Sequence, residues 1–340
     1  MNSFEKTMLF FLTVIFLTGC KHSQTDIDTS AVDYKTIAIK RLDSDVFLMT
    51  KENVTKKNSE LQKKYGLFYN RYMASILNNG GKLDSVYTNN ILRFTNDKDM
   101  KSAYADIKKT FSDNDVELLA ENLTEATKRF KVFFPKRKLP QQFVTYMSGF
   151  NYNVVYVDST LAIGLDMYLG SNNVFYQMLQ LPKFKTLTMT KEHILPDAVR
   201  GWVITEFDNT EQESKLLHHL IFYGKIFYTT KGLLPQVNDS LVFGYTTKQM
   251  AYCTSYEKDL WSFFAKDDKL YANDLKIVAE YTNDGPFTGS ISKECPPRIA
   301  MWIGYNIVKS YMEHNEKVTL EDLMTEKDFQ KILSKSKYRP

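Results

Sequence analysis

The residues with the strongest hint of chemistry lie between Pro196 and Tyr228. Zinc hydrolases carry His-Glu-x-x-His on a helix, because two imidazoles four residues apart share one face and the glutamate between them serves as general base. The corresponding run here is Thr205-Glu206-Phe207-Asp208-Asn209. The glutamate is in place; both histidines are replaced. A third ligand, expected as Glu in a Glu-Gly pair on the next helix, is replaced by Tyr223 ahead of Gly224. Thr205 and Asn209 are weak zinc ligands beside imidazole, thiolate or carboxylate. Without a metal to activate water, Glu206 has no evident general-base task. Thr205, Glu206, Asn209 and Tyr223 therefore read as vestigial positions, with no catalytic residue and no metal ligand among them.

The remaining chemistry is thin. The five histidines are His22, His193, His218, His219 and His314, and no two are four apart. His218 and His219 diverge by about 100° on a helix. A site improvised from Glu206, Asp208 and His218 or His219 is the weaker alternative. Gly224-Lys225 lacks the spacing and the following Ser or Thr of a phosphate loop. No Gly-x-Ser-x-Gly elbow is present. Asp43 and Asp45 pose as a carboxylate pair but fit better as residues that cap and solvate a helix start. Trp302 sits at core spacing rather than as a ligand platform. No cofactor is implied.

The elements that position these residues follow from periodicity and punctuation. Residues 1–19 have a lysine-bearing start, a short apolar run from Met8 to Leu17, and the sequence Leu17-Thr18-Gly19-Cys20. The run is short for a membrane span, and small residues before a cysteine form a lipobox. Cys20 is the predicted lipid-attachment residue, carrying palmitate-type acyl chains that hold the protein to a membrane. Residues 20–34 are polar and read as a flexible tether.

One domain over 35–340 is expected, with a helical part (35–140), a sheet followed by two helices (141–235) and a helical C-terminal part (236–340). Ile37 to Leu42 alternates like a short strand. A continuous helical stripe runs through Leu61, Tyr65, Phe68, Tyr69, Tyr72, Met73, Ile76 and Leu77, stopped by Asn79-Gly80-Gly81. A second helix spans Thr88–Phe111, and a third begins near Asp113 and buries Leu118, Leu119, Leu123, Ala126 and Phe130. Phe143–Met147, Asn153–Val157 and Thr160–Leu165 read as a small antiparallel sheet, with Asp158-Ser159 as a turn and Asp166–Asn172 leaving as a polar loop. Helices over 196–207 and 214–231 follow, the second with Gly224 as a close-approach point. Beyond them Thr246–Gln249 resembles a capping box, 283–297 is a loop, and a helix from Pro297 presents Trp302 and Gly304. Leu320–Leu333 is the last helix, capped by Thr319. The fold class is α+β, predominantly helical, and the order of sheet, helix, helix is that of a degenerate zincin-like core.

A net charge of +4 is too small and dispersed to suggest nucleic acid. Beyond Cys20 only Cys253 and Cys295 remain, too few for a disulfide framework. Cys253 falls in an apolar helical pattern and reads as buried.

Several blocks together resemble the GldB family of gliding motility-associated lipoproteins of Bacteroidetes. They are Leu17–Cys20, Ile39–Asp43, Ile163–Gly170, Ile221–Tyr228 and Pro296–Tyr305, with Pro297 and Ala300 standing where glycines are expected. That family is similar to zinc-protease-like proteins that lost the metal motif. The resemblance implies a non-catalytic, lipid-anchored accessory or scaffold component of the cell envelope. Its expected partners are the membrane, through Cys20, and other envelope proteins of motility and type IX secretion. A zinc peptidase with a non-standard site and a carbohydrate- or peptidoglycan-binding lipoprotein are the alternatives.

Overall fold

The structure is a computed structural model, and it describes residues 24–78, 84–207, 215–266 and 268–340. Cys20 and Asn209 lie outside the described residues. Four short strands, β1 (Ile39–Arg41), β2 (Gln142–Tyr146), β3 (Val154–Val157) and β4 (Thr160–Gly164), form one sheet in the order β1-β2-β4-β3. Only β3 and β4 are antiparallel. They are joined at Asp158-Ser159, whose φ values of +51° and +58° match the twist of a tight hairpin. β1 runs parallel to β2, and β2 parallel to β4. The sheet is therefore mixed, which corrects the antiparallel expectation.

The reason is Asp166. It is fully buried rather than part of a polar loop, and its carboxylate accepts from Ser148 N (2.9 Å), Ser148 Oγ (3.0 Å) and Phe150 N (2.6 Å). These bonds fold the segment after β2 over the end of β4, so β3 is laid on the far side and β4 lies between them. Burial pushes the Asp166 carboxyl up to about 6, against the downward pull of those donors.

The sheet separates two apolar cores, and strand alternation sorts side chains between them. Val144, Tyr146 and Ala162 face a smaller cluster built with α1 (Leu42–Phe47), α2 (Val54–Tyr65), α3 (Leu67–Ser75) and α4 (Ser85–Asn96). Phe143, Leu161 and Ile163 face the larger one, shared with α5 (Lys98–Thr110), α6 (Asp113–Phe133) and the rest of the chain. The expected helical stripe through Tyr72 is thus two helices, broken where Gly66 takes φ +60°. The Thr88–Phe111 stretch is likewise two, broken at Asp97, whose side chain caps α5. Ser112 and Asp115 start α6 with a capping box, and Leu118 is solvent-exposed, not core.

Asp43 is not a cap either. It is 1% exposed, accepts from the Arg41 guanidinium at 2.8 Å and from Thr145 Oγ1, and so pins α1 to β2. Asp45 accepts from Lys64 Nζ and Tyr65 Oη, both at 2.6 Å.

Two short helices, α7 (Val174–Met178) and α8 (Lys183–Thr186), lead into α9 (Ile194–Glu206) and α10 (Leu216–Leu233). α11 (Asp239–Phe243), α12 (Thr247–Ser255, with the Thr246–Gln249 capping box), α13 (Glu257–Ala265) and α14 (Leu275–Thr282) follow. α15 (Ile299–His314) buries Trp302, which is core. The expected last helix is two, α16 (Leu320–Thr325, capped by Thr319) and α17 (Phe329–Ser336).

α10 and α15 cross through a glycine pair. A Cβ on Gly224 would stand 2.3 Å from Gly304 O, and one on Gly304 would stand 1.8 Å from Leu220 O. Either backbone reaches the other only because both positions lack a side chain. Cys253 and Cys295 are buried free thiols.

From Gln24 onward, the segment expected to be a tether lies on the domain. The buried Arg129 guanidinium donates to Thr25 O, Ile27 O (3.4 Å) and Gly232 O (2.8 Å). Tyr34 Oη donates to Pro140 O at 3.0 Å.

Candidate functional site

Among the described residues the vestigial positions are engaged by their own neighbours. Thr205 is exposed and its hydroxyl returns to Gly201 O, four residues back, at 2.9 Å. Glu206, the last residue of α9, faces Arg137, with Oε1 at 3.6 Å from Nη1. Arg137 also reaches Glu321 at 3.5 Å and stacks 4.0 Å over the Phe207 ring. Burial raises the Glu206 carboxyl while the arginine lowers it, with a net upward shift. Tyr223 packs edge-on against Phe222. His218 packs edge-on against Phe329. Among the described residues no group of three or more His, Cys, Asp or Glu side chains is placed to hold a metal ion.

The opposite end of the same helix opens on a cleft of about 850 Å³. That volume is in the range of small-ligand pockets. Its floor is built from the first turns of α9. The spacing of His193, Asp197 and Arg200, at i, i+4 and i+7, puts them on one face. Asp197 accepts from Tyr168 Oη (3.0 Å) and from Arg200 Nη2. Arg200 Nη1 donates to Val242 O at 2.7 Å, tying the floor to α11. His193 Nδ1 is 2.9 Å from Thr190 Oγ1. Burial lowers the His193 pKa more than Asp197 and Glu192 raise it, so the imidazole is neutral at neutral pH. Burial and the Asp197 charge both hold Tyr168 protonated.

The opposite wall is Arg298, which precedes α15 in the left-handed region at φ +56°. Its Nη2 donates to Phe243 O at 3.0 Å, and its Nε stands 2.9 Å from Asp284 Oδ1 but out of line for a hydrogen bond. Gly244, at φ +64°, brings its backbone beneath this guanidinium: a Cβ there would lie 3.3 Å from Arg298 Nη2. Tyr245 Oη donates to Pro297 O at 2.7 Å and braces the same wall. The rim is apolar and basic, with Phe184, the half-exposed Leu187, and the exposed Lys183 and Lys185. Asp197 and Asp284 already have cationic partners inside the cleft. Among the described residues the lysines at the mouth, Lys183 and Lys185, make no ion pair.

The sequence treated His193 only as one of five histidines and passed over Asp197, Arg200 and Asp284. The signal that was present is the helical spacing of the first three.

The model of the family described as gliding motility protein GldB matches residues 22–340. The chain belongs to the GldB family. It is accordingly a gliding-motility-associated protein. No curated protein and no solved structure matches the chain. The expected likeness to zinc-protease-like proteins has no support in these comparisons or in the surroundings of Glu206. The GldB blocks divide by task. Ile39–Asp43 carries the Arg41–Asp43 pair that pins β2, and Ile221–Tyr228 carries one half of the glycine crossing. Ile163–Gly170 supplies Met167 and Tyr168, and Pro296–Tyr305 supplies Pro297 and Arg298, to the cleft. Among the described residues no helix is long and apolar enough to cross a membrane.

Proposed function

We propose that this GldB protein is a non-catalytic accessory component of the cell envelope, lipid-anchored through Cys20, working with the machinery of gliding and type IX secretion. Its cleft receives a polypeptide segment of an envelope partner. The observation that carries this reading is the cleft itself, where two separate GldB blocks meet around charges that are already paired. A paired floor suits holding a partner through shape and hydrogen bonds. The apolar and lysine-bearing rim suits an extended acidic segment with apolar side chains. Family membership supports the envelope location.

The test is site-specific photo-crosslinking in living cells from a photoreactive side chain at Leu187. The expected outcome is a discrete adduct with an envelope protein, several-fold weaker when Arg298→Ala is added. Peptide hydrolysis by the purified protein, with one bound zinc per chain and loss of both on Glu206→Ala, would overturn the reading in favour of a peptidase.

A further inference from the structure

The two edges of the sheet are defended differently. β1 presents Lys40 and Arg41, charges of the kind that keep a second chain from pairing with an edge. β3 reads Val-Val-Tyr-Val, with no charge, proline or bulge. Its inner side is paired with β4. Gly164 N donates to Asn153 O at 2.8 Å, and the register Val154↔Ile163 then makes Val155 and Val157 the residues bonded to Ala162 and Thr160. The peptide groups of Val154 and Tyr156 therefore point away from β4. The Val154 N–H is taken by the Asn153 side chain at 2.9 Å. Among the described residues the Val154 C=O and both main-chain groups of Tyr156 have no hydrogen-bond partner.

A groove of about 290 Å³ lies between this edge strand and α3. Val155 and Val157 line it from the strand, and Tyr72 and Ile76 from the helix side. Phe68 and Tyr146 add two further rings, packed edge to face at 5.5 Å. Arg71 is the charged residue of the lining and is already paired, with Nε 2.9 Å from Asp158 Oδ2. Tyr72 is 3% exposed, yet its hydroxyl has no hydrogen-bond partner among the described residues and is not sealed in, so it opens on the groove. The geometry points to β3 as a docking edge for an extended, uncharged segment of a partner protein, which adds to the sheet as a further strand and sends one tyrosine side chain into the groove. An extended chain offers donors and acceptors at the spacing that Val154 and Tyr156 require. A ring enters edge-on among Phe68, Tyr72 and Tyr146. A phenol at its tip gives the Tyr72 hydroxyl the partner it lacks, as donor or acceptor. The groove shares no lining residue with the cleft beside α9, so the inference does not depend on what that cleft receives.

The probe is the capped peptide acetyl-Thr-Val-Tyr-Val-Thr-amide, titrated into the whole protein isotope-labelled at tyrosine nitrogen. The reporter is the Tyr156 amide resonance, assigned by its loss in Tyr156→Phe. A tyrosine that enters beside Val155 lies opposite it, so the two valines of the probe face the Val154 and Tyr156 peptide groups. The expected result is a saturable shift of the Tyr156 amide with several-fold slower exchange against solvent. The same peptide with phenylalanine at its centre should bind several-fold more weakly, and one N-methylated at both valines should not bind. Tyr72→Phe removes a hydroxyl that has no partner in the fold, so the protein keeps its structure, and the tyrosine and phenylalanine peptides should then bind alike. No saturable shift at millimolar probe, equal binding of the N-methylated peptide, or equal binding of the tyrosine and phenylalanine peptides to the parent overturns the inference. So does a preference for tyrosine that survives Tyr72→Phe. Binding that is lost in Arg298→Ala assigns the peptide to the cleft and overturns it as well.

Discussion

The two ends of α9 hold similar residues and do opposite things. At the C-terminal end a carboxylate, Glu206, is met by Arg137, which is itself sandwiched against Phe207 and shared with Glu321. At the N-terminal end a carboxylate, Asp197, is met by Arg200 and Tyr168, and beyond it lies open volume. Both ends have an acid and an arginine. Among the described residues the cleft opens at the N-terminal end, with the His193 imidazole in its lining. Residue type drew attention to Glu206, and the packing around the helix gives the cleft to Asp197.

The most damaging way to break this comparison is Asp197→Ala. It leaves the buried Tyr168 hydroxyl and the half-buried Arg200 guanidinium, which keeps only Val242 O, without the carboxylate they share, and should cost about 2–4 kcal/mol in denaturant unfolding. Glu206→Ala should cost less than about 1 kcal/mol, because Glu321 still serves Arg137 and the pair is partly solvated. If the two losses are equal, the ends are energetically alike and the contrast fails.

Arg298→Ala comes next, at about 1–2 kcal/mol for the lost bond to Phe243 O. Arg298→Gly should recover up to about 1 kcal/mol of that, since glycine accepts the left-handed backbone freely. An alanine variant as stable as the glycine one would show that φ +56° carries no strain.

The two ends should also answer acid in opposite senses. The His193 pKa is lowered on folding, so the unfolded chain binds more protons below its ordinary value of 6.5. Its contribution to stability is present above 6.5 and is lost as pH falls through the folded value. The Glu206 pKa is raised, so its contribution is present below the ordinary 4.5 and is lost as pH rises through the folded value. Unfolding free energies between pH 4.5 and 6.5 should therefore fall less steeply on acidification in His193→Gln than in the parent. Over the same range Glu206→Gln should lose the opposing slope. Parallel pH profiles in the two variants would contradict this.

The smallest effect is expected from Thr205→Ala. Its hydroxyl only folds back on Gly201 O, and the change in melting free energy should stay within about 0.5 kcal/mol.

Much of this molecule was legible in its sequence, for local reasons. The Thr246–Gln249 capping box, the Asp158-Ser159 turn and the close-approach glycines depend on residues a few positions apart or on one residue type. What was illegible depends on distant partners. Asp43 resembles a cap until Thr145 supplies a hydroxyl from 102 residues away. Asp166 resembles a loop residue until Ser148 and Phe150 close over it. Strand alternation has the same period in parallel and antiparallel sheets, so β2 and β4 could not be told apart from a hairpin by pattern. The breaks at Gly66 and between α16 and α17 interrupt stripes whose apolar spacing runs on across them. For the candidate site the histidine, acid and arginine of α9 were readable as a face, but the cleft beside them is closed by Gly244, Tyr245, Asp284 and Arg298, more than forty residues further along the chain.

The glycine crossing of α10 and α15 has a consequence for how this chain can change length. Adding one residue to either helix between its start and its glycine turns everything before it by about 100° relative to everything after. A neighbour such as Tyr223 or Ile303 would then be driven toward a space in which even a methyl carbon meets backbone at 1.8–2.3 Å. Insertions and deletions are thereby barred from both helices ahead of the contact, and are left to the connectors outside them. Length variation among functional versions of this chain should accumulate in stretches such as 234–238 and 283–297, while the interval from each helix start to its glycine keeps its count.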